Sequence, residues 1–375
     1  MYYAKEVIEE LNQSKQIVIF GARIVAVEVA SILMGEPYLF QIPYFLVTDL
    51  TDNPSQLLGR PVIDLKQSKD KISPDDTIVI ASMEKNIDSI CENLRQFGFL
   101  HLIQMTFESD LWSLIRGNYY MHLCKNNHKP FIALENELKA VDVVGECTSV
   151  SIYTAKCHVD KKIQEDTSRF NWEIPIQVGT ELTKERICKI CDNEGDNISI
   201  KNSGYCELTA LYWIWKNDSS KYKGLGHYRR HFELDEPMLS KLSCSNIDVI
   251  LTIPIFNFPS VGDVYKQDHN FSDWNVMMEA LEKNAPEYCD TAKRLQNGIY
   301  YYGYNMFVAK REIFDDYCKW LFPILTYCEE HCGKKEDRYQ NRYIGFLAER
   351  LLSIYFRHHE DRYKIVHAKK HFIEK

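Results

Sequence analysis

Short apolar runs alternate with helix-length stretches through the first hundred residues, and this alternation constrains the fold more than any other feature. QIVIF (16–20), IPYFLVTD (42–49), PVIDL (61–65), DTIVIAS (76–82) and HLIQM (101–105) are strand-sized. Between them lie an Ala/Val-rich segment ending near Met34 and the amphipathic SICENLRQFGF. Strands and helices in turn predict a parallel, doubly wound α/β sheet with ligands at the carboxyl ends of the strands. At ~100–200 residues per domain, 375 residues make two domains. The pattern turns helical and polar after Phe107. We therefore expect a Rossmann-like parallel-sheet domain over 1–115, a helical linker over 116–147 and a second α/β domain over 148–375.

A dinucleotide site needs three glycines after the first strand: one for the turn, one for pyrophosphate approach, one for packing. Only Gly21 is present; Ala26 stands where the last small residue would fall, and Asp49 ends the second strand. The expectation is a Rossmann-like module without a redox cofactor, with a nucleotide or nucleotide-sugar regulatory role as the alternative. A dehydrogenase or epimerase role is disfavoured by the missing glycines.

Composition narrows the partners. A formal charge of −8 argues against a global basic face, so no nucleic acid is expected, although a local cationic site remains compatible. No apolar run approaches the ~18–20 residues of a membrane span. Met1 opens onto the charged segment YYAKEVIEELNQSKQ rather than an apolar leader core. Twelve scattered cysteines read as reduced thiols. Cys188-x-x-Cys191 lacks a matching pair, and Cys328-x-x-x-Cys332 does not complete a zinc site. A cytoplasmic protein is expected.

The second half carries the chemistry. SVSIYTAKCHVD (149–160) reads as a strand ending in Lys156, Cys157 and His158. Asp196, Asn197, Ser199, Lys201 and Asn202 crowd polar groups ahead of a helix expected over 205–216, whose Leu208, Leu211, Tyr212 and Trp215 share one apolar face. Such a loop at a helix N-terminus favours an anion. YKGLGHYRRHF reads as one strand ending in His227, Tyr228, Arg229, Arg230 and His231. Paired guanidinium groups match phosphate oxygens, so a diphosphate site is expected there; a salt-bridged surface pair is the plainer alternative. The loop VGDVYKQDHNFSDW (261–274) offers Asp263, Asp268, His269 and Asp273. Asn305 lies in a strand–turn segment at a pocket edge. Glu349 and Arg350 sit in an apolar helical pattern, where such a pair is more often structural than catalytic.

DNISIKNSGYCELTALYWIWKN, GLGHYRRHF, YNMFVAKREIFDDYCKWLF and GFLAERLLSIYF together resemble the domain of unknown function 4422 family over about residues 149–358. That family is found among bacterial capsular and exopolysaccharide glycosyltransferases and is akin to the GT-A fold. The resemblance implies a GT-A-like α/β domain. Its implied activity is transfer of a hexose, pyranose or galactofuranose, from a UDP-sugar to a glycan acceptor hydroxyl in capsular, exopolysaccharide or O-antigen synthesis. GT-A enzymes hold Mg²⁺ or Mn²⁺ with an Asp-x-Asp at a strand end. Here His227-Tyr228-Arg229-Arg230 stands in that place, implying fixed cations instead of a metal. No residue is assigned to a metal, and Mg²⁺ or Mn²⁺ recruited by Asp263 or Asp268 stays open.

In this reading Arg229 and Arg230 neutralise the leaving diphosphate. The acceptor proton goes to Asp268, His269 or Glu349, with Asp268 ranked first. Asn197, Lys201, Asn202 and Glu207 shape the donor site, Asn305 contacts sugar, and His158, His227, Tyr228 and His231 complete the substrate contacts. The acceptor is expected to be an oligosaccharide or lipid-linked glycan at the inner membrane face. A local charge of +3 over 357–375, six basic residues against three acidic, suits peripheral contact with anionic lipid. The competing reading is a non-catalytic nucleotide-sugar-binding or scaffold protein of a polysaccharide assembly complex.

Overall fold

The computed structural model describes residues 4–143, 149–164 and 167–374. The chain forms two compact units, Met1–Pro130 and Phe131–Lys375.

The first unit runs α1 (Lys5–Gln13), β1 (Ile17–Phe20), α2 (Ile24–Met34), β2 (Phe45–Val47), β3 (Gln56–Leu57) and β4 (Arg60–Asp64). β5 (Thr77–Ile80), α3 (Ile87–Gln96), β6 (Leu102–Gln104) and α4 (Asp110–Asn126) complete it. The sheet order is β3-β4-β2-β1-β5-β6, parallel except at the β3 edge. This is the doubly wound order of Rossmann-type sheets. Both faces of its central strands are covered, so Ile17–Phe20 and Thr77–Ile80 are buried at every position. Each such Val or Ile contributes about 1.5–3 kcal/mol of burial, which is why these strands are uninterrupted apolar runs rather than alternating ones.

Gly21 has a packing role. Its φ of +127° suits glycine, and a Cβ there would lie 2.4 Å from the Ala81 carbonyl oxygen at the end of β5. The Asp49 carboxylate accepts from Thr51 N at 2.8 Å and closes its own turn. α4 is capped by Ser109, whose Oγ accepts from Trp112 N at 3.3 Å. Trp112 and Arg116 of α4 both reach the buried Glu28 of α2, at 3.4 and 3.7 Å.

The second unit begins with α5 (Leu134–Lys139), β7 (Val150–Lys156), β8 (Ile174–Gln177) and β9 (Ile190–Cys191). α6 (Asn202–Tyr205), α7 (Leu208–Asn217), β10 (Tyr222–His227), β11 (Arg230–Phe232) and α8 (Glu236–Cys244) follow. Next come β12 (Val249–Thr252), β13 (Ile255–Phe256), α9 (Val261–Asp268), α10 (Phe271–Asn284) and α11 (Cys289–Gln296). β14 (Tyr300–Tyr301), β15 (Phe307–Lys310), α12 (Arg311–Cys332), α13 (Tyr343–His358), β16 (Ile365–Ala368) and β17 (Lys370–Phe372) close the unit.

Its main sheet runs β16-β12-β15-β10-β7-β8-β9, with β11 bridging β10 to β17. β10, β7, β8 and β9 are parallel, so their carboxyl ends share one edge. β15 runs antiparallel to β10 and β12, which brings its entry to that same edge. α12 and α13 bury one flank, with Phe314, Tyr317, Leu321, Leu347, Leu351 and Phe356 out of solvent.

The segment 116–147 read as a linker is divided: α4 extends through Asn126, the units part at Pro130, and α5 belongs to the second unit. The expected 147/148 junction lies outside the described residues. Two local readings change. YKGLGHYRRHF is not one strand; it turns back at Tyr228-Arg229, because β11 takes β17 as a partner. Residues 261–268 form a helix rather than a loop, since Ser260 caps it, Oγ accepting from Asp263 N at 3.0 Å, and Val261, Val264 and Tyr265 bury one face.

Candidate functional site

β7 and β10 lie in register, Ala155 opposite His227, and Tyr228 N donates to Ala155 O at 3.1 Å. His158, His227, Tyr228, Arg229 and Arg230 therefore all reach the carboxyl edge, where ligands of parallel sheets bind. Leu225 pairs with Phe307, so Tyr304 and Asn305 stand beside His227. His227 Nε2 hydrogen-bonds the Tyr304 carbonyl. A carbonyl only accepts, so Nε2 carries the proton. Burial pushes this imidazole below its ordinary range, against the pull of Glu207, and it is neutral at pH 7. Tyr304 and Asn305 are consecutive left-handed residues, φ +67° and +52°, a strained pair that surrounding bonds must hold.

Two carboxylates hold it. Asn305 Nδ2 donates to Glu207 Oε1 at 2.7 Å and to Gly345 O at 3.3 Å. Tyr304 N donates to Glu349 Oε1 at 2.7 Å, while Glu349 Oε2 accepts from Arg350 at 2.8 Å. Burial pushes the Glu349 carboxyl up and the Arg350 guanidinium pulls it back. Both oxygens of Glu349 are thus committed. Glu207 is half-buried at the N-terminus of α7, with Oε1 tied to Asn305 and no hydrogen bond at Oε2 among the described residues. Cys206, φ +50°, breaks the expected helix into α6 and α7 and so presents Glu207 at the edge.

The adjacent arginines have different surroundings. The Arg230 guanidinium lies 4.4 Å from the Tyr304 ring centroid. Arg229 donates from Nε to Ile373 O at 2.6 Å and from a terminal nitrogen to Glu374 O. Arg342, at the start of α13, donates from Nε to Cys206 Sγ at 3.2 Å and lies in the field of Glu207. His227, Glu207, Asn305, Arg230 and Arg342 thus converge around one strained turn.

The sequence of this edge matches a known family model, Domain of unknown function (DUF4422), over residues 152–360, more than half of the chain. The chain belongs to the DUF4422 family. The match runs from β7 through α13 and includes every residue of the turn just described. Among solved structures the chain is similar to the apo structure of the WbbM bifunctional glycosyltransferase, with 29% identity and a TM-score of 0.54. That similarity covers 60% of this chain and 46% of that one, so this chain spans less than half of its length. No curated protein matches.

Other expected positions in the DUF4422 segment serve the frame. His231 is buried, with Nδ1 2.7 Å from Glu173 Oε2 and its ring stacked on Phe170 at 4.3 Å. Asn197 closes the 193–199 loop, Nδ2 donating to Gly195 O at 2.9 Å and Oδ1 accepting from Ser199 N at 3.2 Å. Lys201 pairs with Glu329 at 2.6 Å. Asn202 donates to Cys206 O at 2.7 Å and so supports Glu207 from beneath. His158 is half-buried after β7, 3.7 Å from the Cys157 sulfur.

Asp268 and His269 flank Arg350 instead. Asp268 is exposed at the end of α9; partial burial pushes its carboxyl up, against Arg350. His269 stacks on Phe346 at 4.1 Å, and burial with Arg350 pushes its imidazole down to about 3. Sequence reasoning missed Arg342, Tyr304 and Cys206. Only the Gly303-Tyr304-Asn305 turn signal pointed that way.

Among the described residues, none of Asp263, Asp268 and Asp273 joins a converging group of three metal-ligating side chains. Asp273 is ion-paired with Lys335 at 2.7 Å. Among the described residues no helix is long and apolar enough to cross a membrane.

Proposed function

We propose that this chain is a glycosyltransferase that moves a hexose from a nucleotide-diphosphate donor, a UDP-sugar, to a hydroxyl of a glycan acceptor. The observation that carries this reading is Glu207, one oxygen tied by Asn305 and the other without a hydrogen bond among the described residues, beside Arg230 and Arg342 at the carboxyl edge of a parallel sheet. Membership of the DUF4422 family and the chain's similarity to a bifunctional glycosyltransferase support it. A GT-A-type donor site is the arrangement this reading implies, with the nucleoside near His158.

The acceptor oxygen forms a bond to the anomeric carbon as the bond from that carbon to the diphosphate oxygen breaks with its electron pair. The acceptor proton passes to Glu207 Oε2. Arg230, held against Tyr304, and Arg342 take up the charge gathering on the diphosphate. Glu349 and Arg350 position the turn and do not touch the reacting atoms. Capsular, exopolysaccharide or O-antigen synthesis at the inner membrane face is the setting this chemistry suits.

The test is UDP release from a panel of UDP-sugars with oligosaccharide acceptors, with Mn²⁺ or EDTA, for wild type, Glu207→Gln and Arg230→Ala. Turnover that resists EDTA and falls about 10²–10³-fold in each variant supports the reading. Turnover unchanged in both variants would sink these assignments. UDP-sugar binding without turnover on any acceptor would make the chain a non-catalytic nucleotide-sugar-binding protein.

A further inference from the structure

Beside the turn, on the Arg229 side, lies a cavity of about 230 Å³ lined by Lys161, Lys162, Ile163, Gln164, Arg229 and Glu374. Three cations face one carboxylate there, in a chain whose net charge is −8. Among the described residues none of the three cations forms an ion pair, whereas Lys201, Lys223, Lys310, Lys335 and Lys364 of the same unit each hold an acid within 2.7 Å. Concave, uncompensated positive charge focuses the field on an anion.

Arg229 is prepared for that role. Its Nε donates to Ile373 O at 2.6 Å and a terminal nitrogen donates to Glu374 O, with the Phe372 ring centroid 4.5 Å from the guanidinium carbon. Among the described residues two of its five N–H groups are spent on carbonyls that carry no net charge, which leaves the positive charge and three donors. Fixing the guanidinium in advance lowers the ordering cost of binding. The cavity is smaller than the ~300–1,000 Å³ that encloses a whole drug-sized ligand, so it fits a group, not a molecule.

We propose that this cavity binds a phosphate-ester group carried by the acceptor, separate from the donor diphosphate at Arg230. Lys161, Lys162 and Arg229 would hold the phosphate while the acceptor's hydroxyl reaches Glu207. The anion site itself stands on the cavity and its charges; its assignment to the acceptor rests on the transferase reading.

The experiment is calorimetric titration of the full chain with inorganic pyrophosphate at low salt, in the presence of saturating UDP to occupy the donor site. Wild type is expected to bind, and Lys161→Ala/Lys162→Ala to weaken binding at least tenfold while UDP affinity stays unchanged. Both lysines are exposed, so the variant keeps its fold. No pyrophosphate binding, or equal binding by wild type and variant, overturns the proposal. Absent UDP binding and turnover with pyrophosphate binding intact overturns the transferase reading and leaves the anion site standing. Co-sedimentation with phosphatidylcholine vesicles containing phosphatidic acid, lost in the variant, assigns a lipid-borne phosphate. Pyrophosphate binding without co-sedimentation assigns a soluble one.

Discussion

Asn305 Nδ2 donates to Glu207 Oε1 at 2.7 Å across 98 positions of sequence. The same nitrogen reaches Gly345 O at 3.3 Å, so one amide joins the starts of α7 and β15 to the first turn of α13. Asn305 is 1% exposed and left-handed, a conformation asparagine tolerates better than most residues.

Asn305→Asp would set a second carboxylate against Glu207 and remove the donor to Gly345 O. We expect a loss of about 2–4 kcal/mol in stability, from unsatisfied and like-charged buried groups. Asn305→Gly keeps the backbone and loses only the bonds, so its cost should be about 1–2 kcal/mol. Urea midpoints at unchanged slope check both; equal stability of Asn305→Asp and wild type would contradict the geometry.

The Glu349–Arg350 pair predicts strong coupling. Arg350 is 3% exposed and touches Tyr301 and Tyr265 at 4.3 and 5.0 Å. Arg350→Met strands the Glu349 carboxylate and should cost about 3–5 kcal/mol. Glu349→Gln still accepts from Tyr304 N, so Glu349→Gln/Arg350→Met should recover at least about 1 kcal/mol over the sum of the single changes. A double-mutant cycle by urea unfolding measures this. In Arg350→Met the carboxyl's folded pKa rises further above its unfolded value. The carboxyl's own contribution to stability is therefore full below its unfolded pKa and is lost as pH rises through its folded pKa.

His367 on β16 supplies an acid limit. Burial pushes its imidazole down to about 3, while the unfolded side chain titrates near 6.5. Below about pH 6.5 the unfolded chain takes a proton that the native one refuses, so stability falls as pH drops from 6.5 towards 3. The slope from this group is at most about 1.4 kcal/mol per pH unit. His367→Gln keeps a partner for Tyr302 OH, now 3.2 Å from Nε2, and removes the titration. Its stability between pH 6.5 and 4 should be flatter than wild type; an unchanged slope would refute the assignment.

Much of the frame was legible in the linear chain. The five apolar runs of the first half are β1, β2, β4, β5 and β6, and β1, β2 and β5 are apolar throughout because both faces of a central strand are covered. β7 and α13 were equally plain. The residue types of the site were legible too, since His227, Arg230, Glu207, Asn305 and Glu349 all carry groups that stand out from their surroundings.

Their grouping was not. Arg229 and Arg230 read as one clamp, yet a turn at Tyr228-Arg229 gives them different partners, because β11 pairs with β17 some 140 positions later. Asp268 and His269 read as a reactive loop, but a helix cap at Ser260 sets them beside Arg350. Cys206 breaks a helix that its periodicity would continue, and Arg342 gave no local sign of meeting its sulfur. Periodicity and charge are properties of a residue and its near neighbours, so element type and chemical class follow from the chain alone. Which groups share a site depends on partners about a hundred residues apart, and only the packed sheet brings them within hydrogen-bond reach.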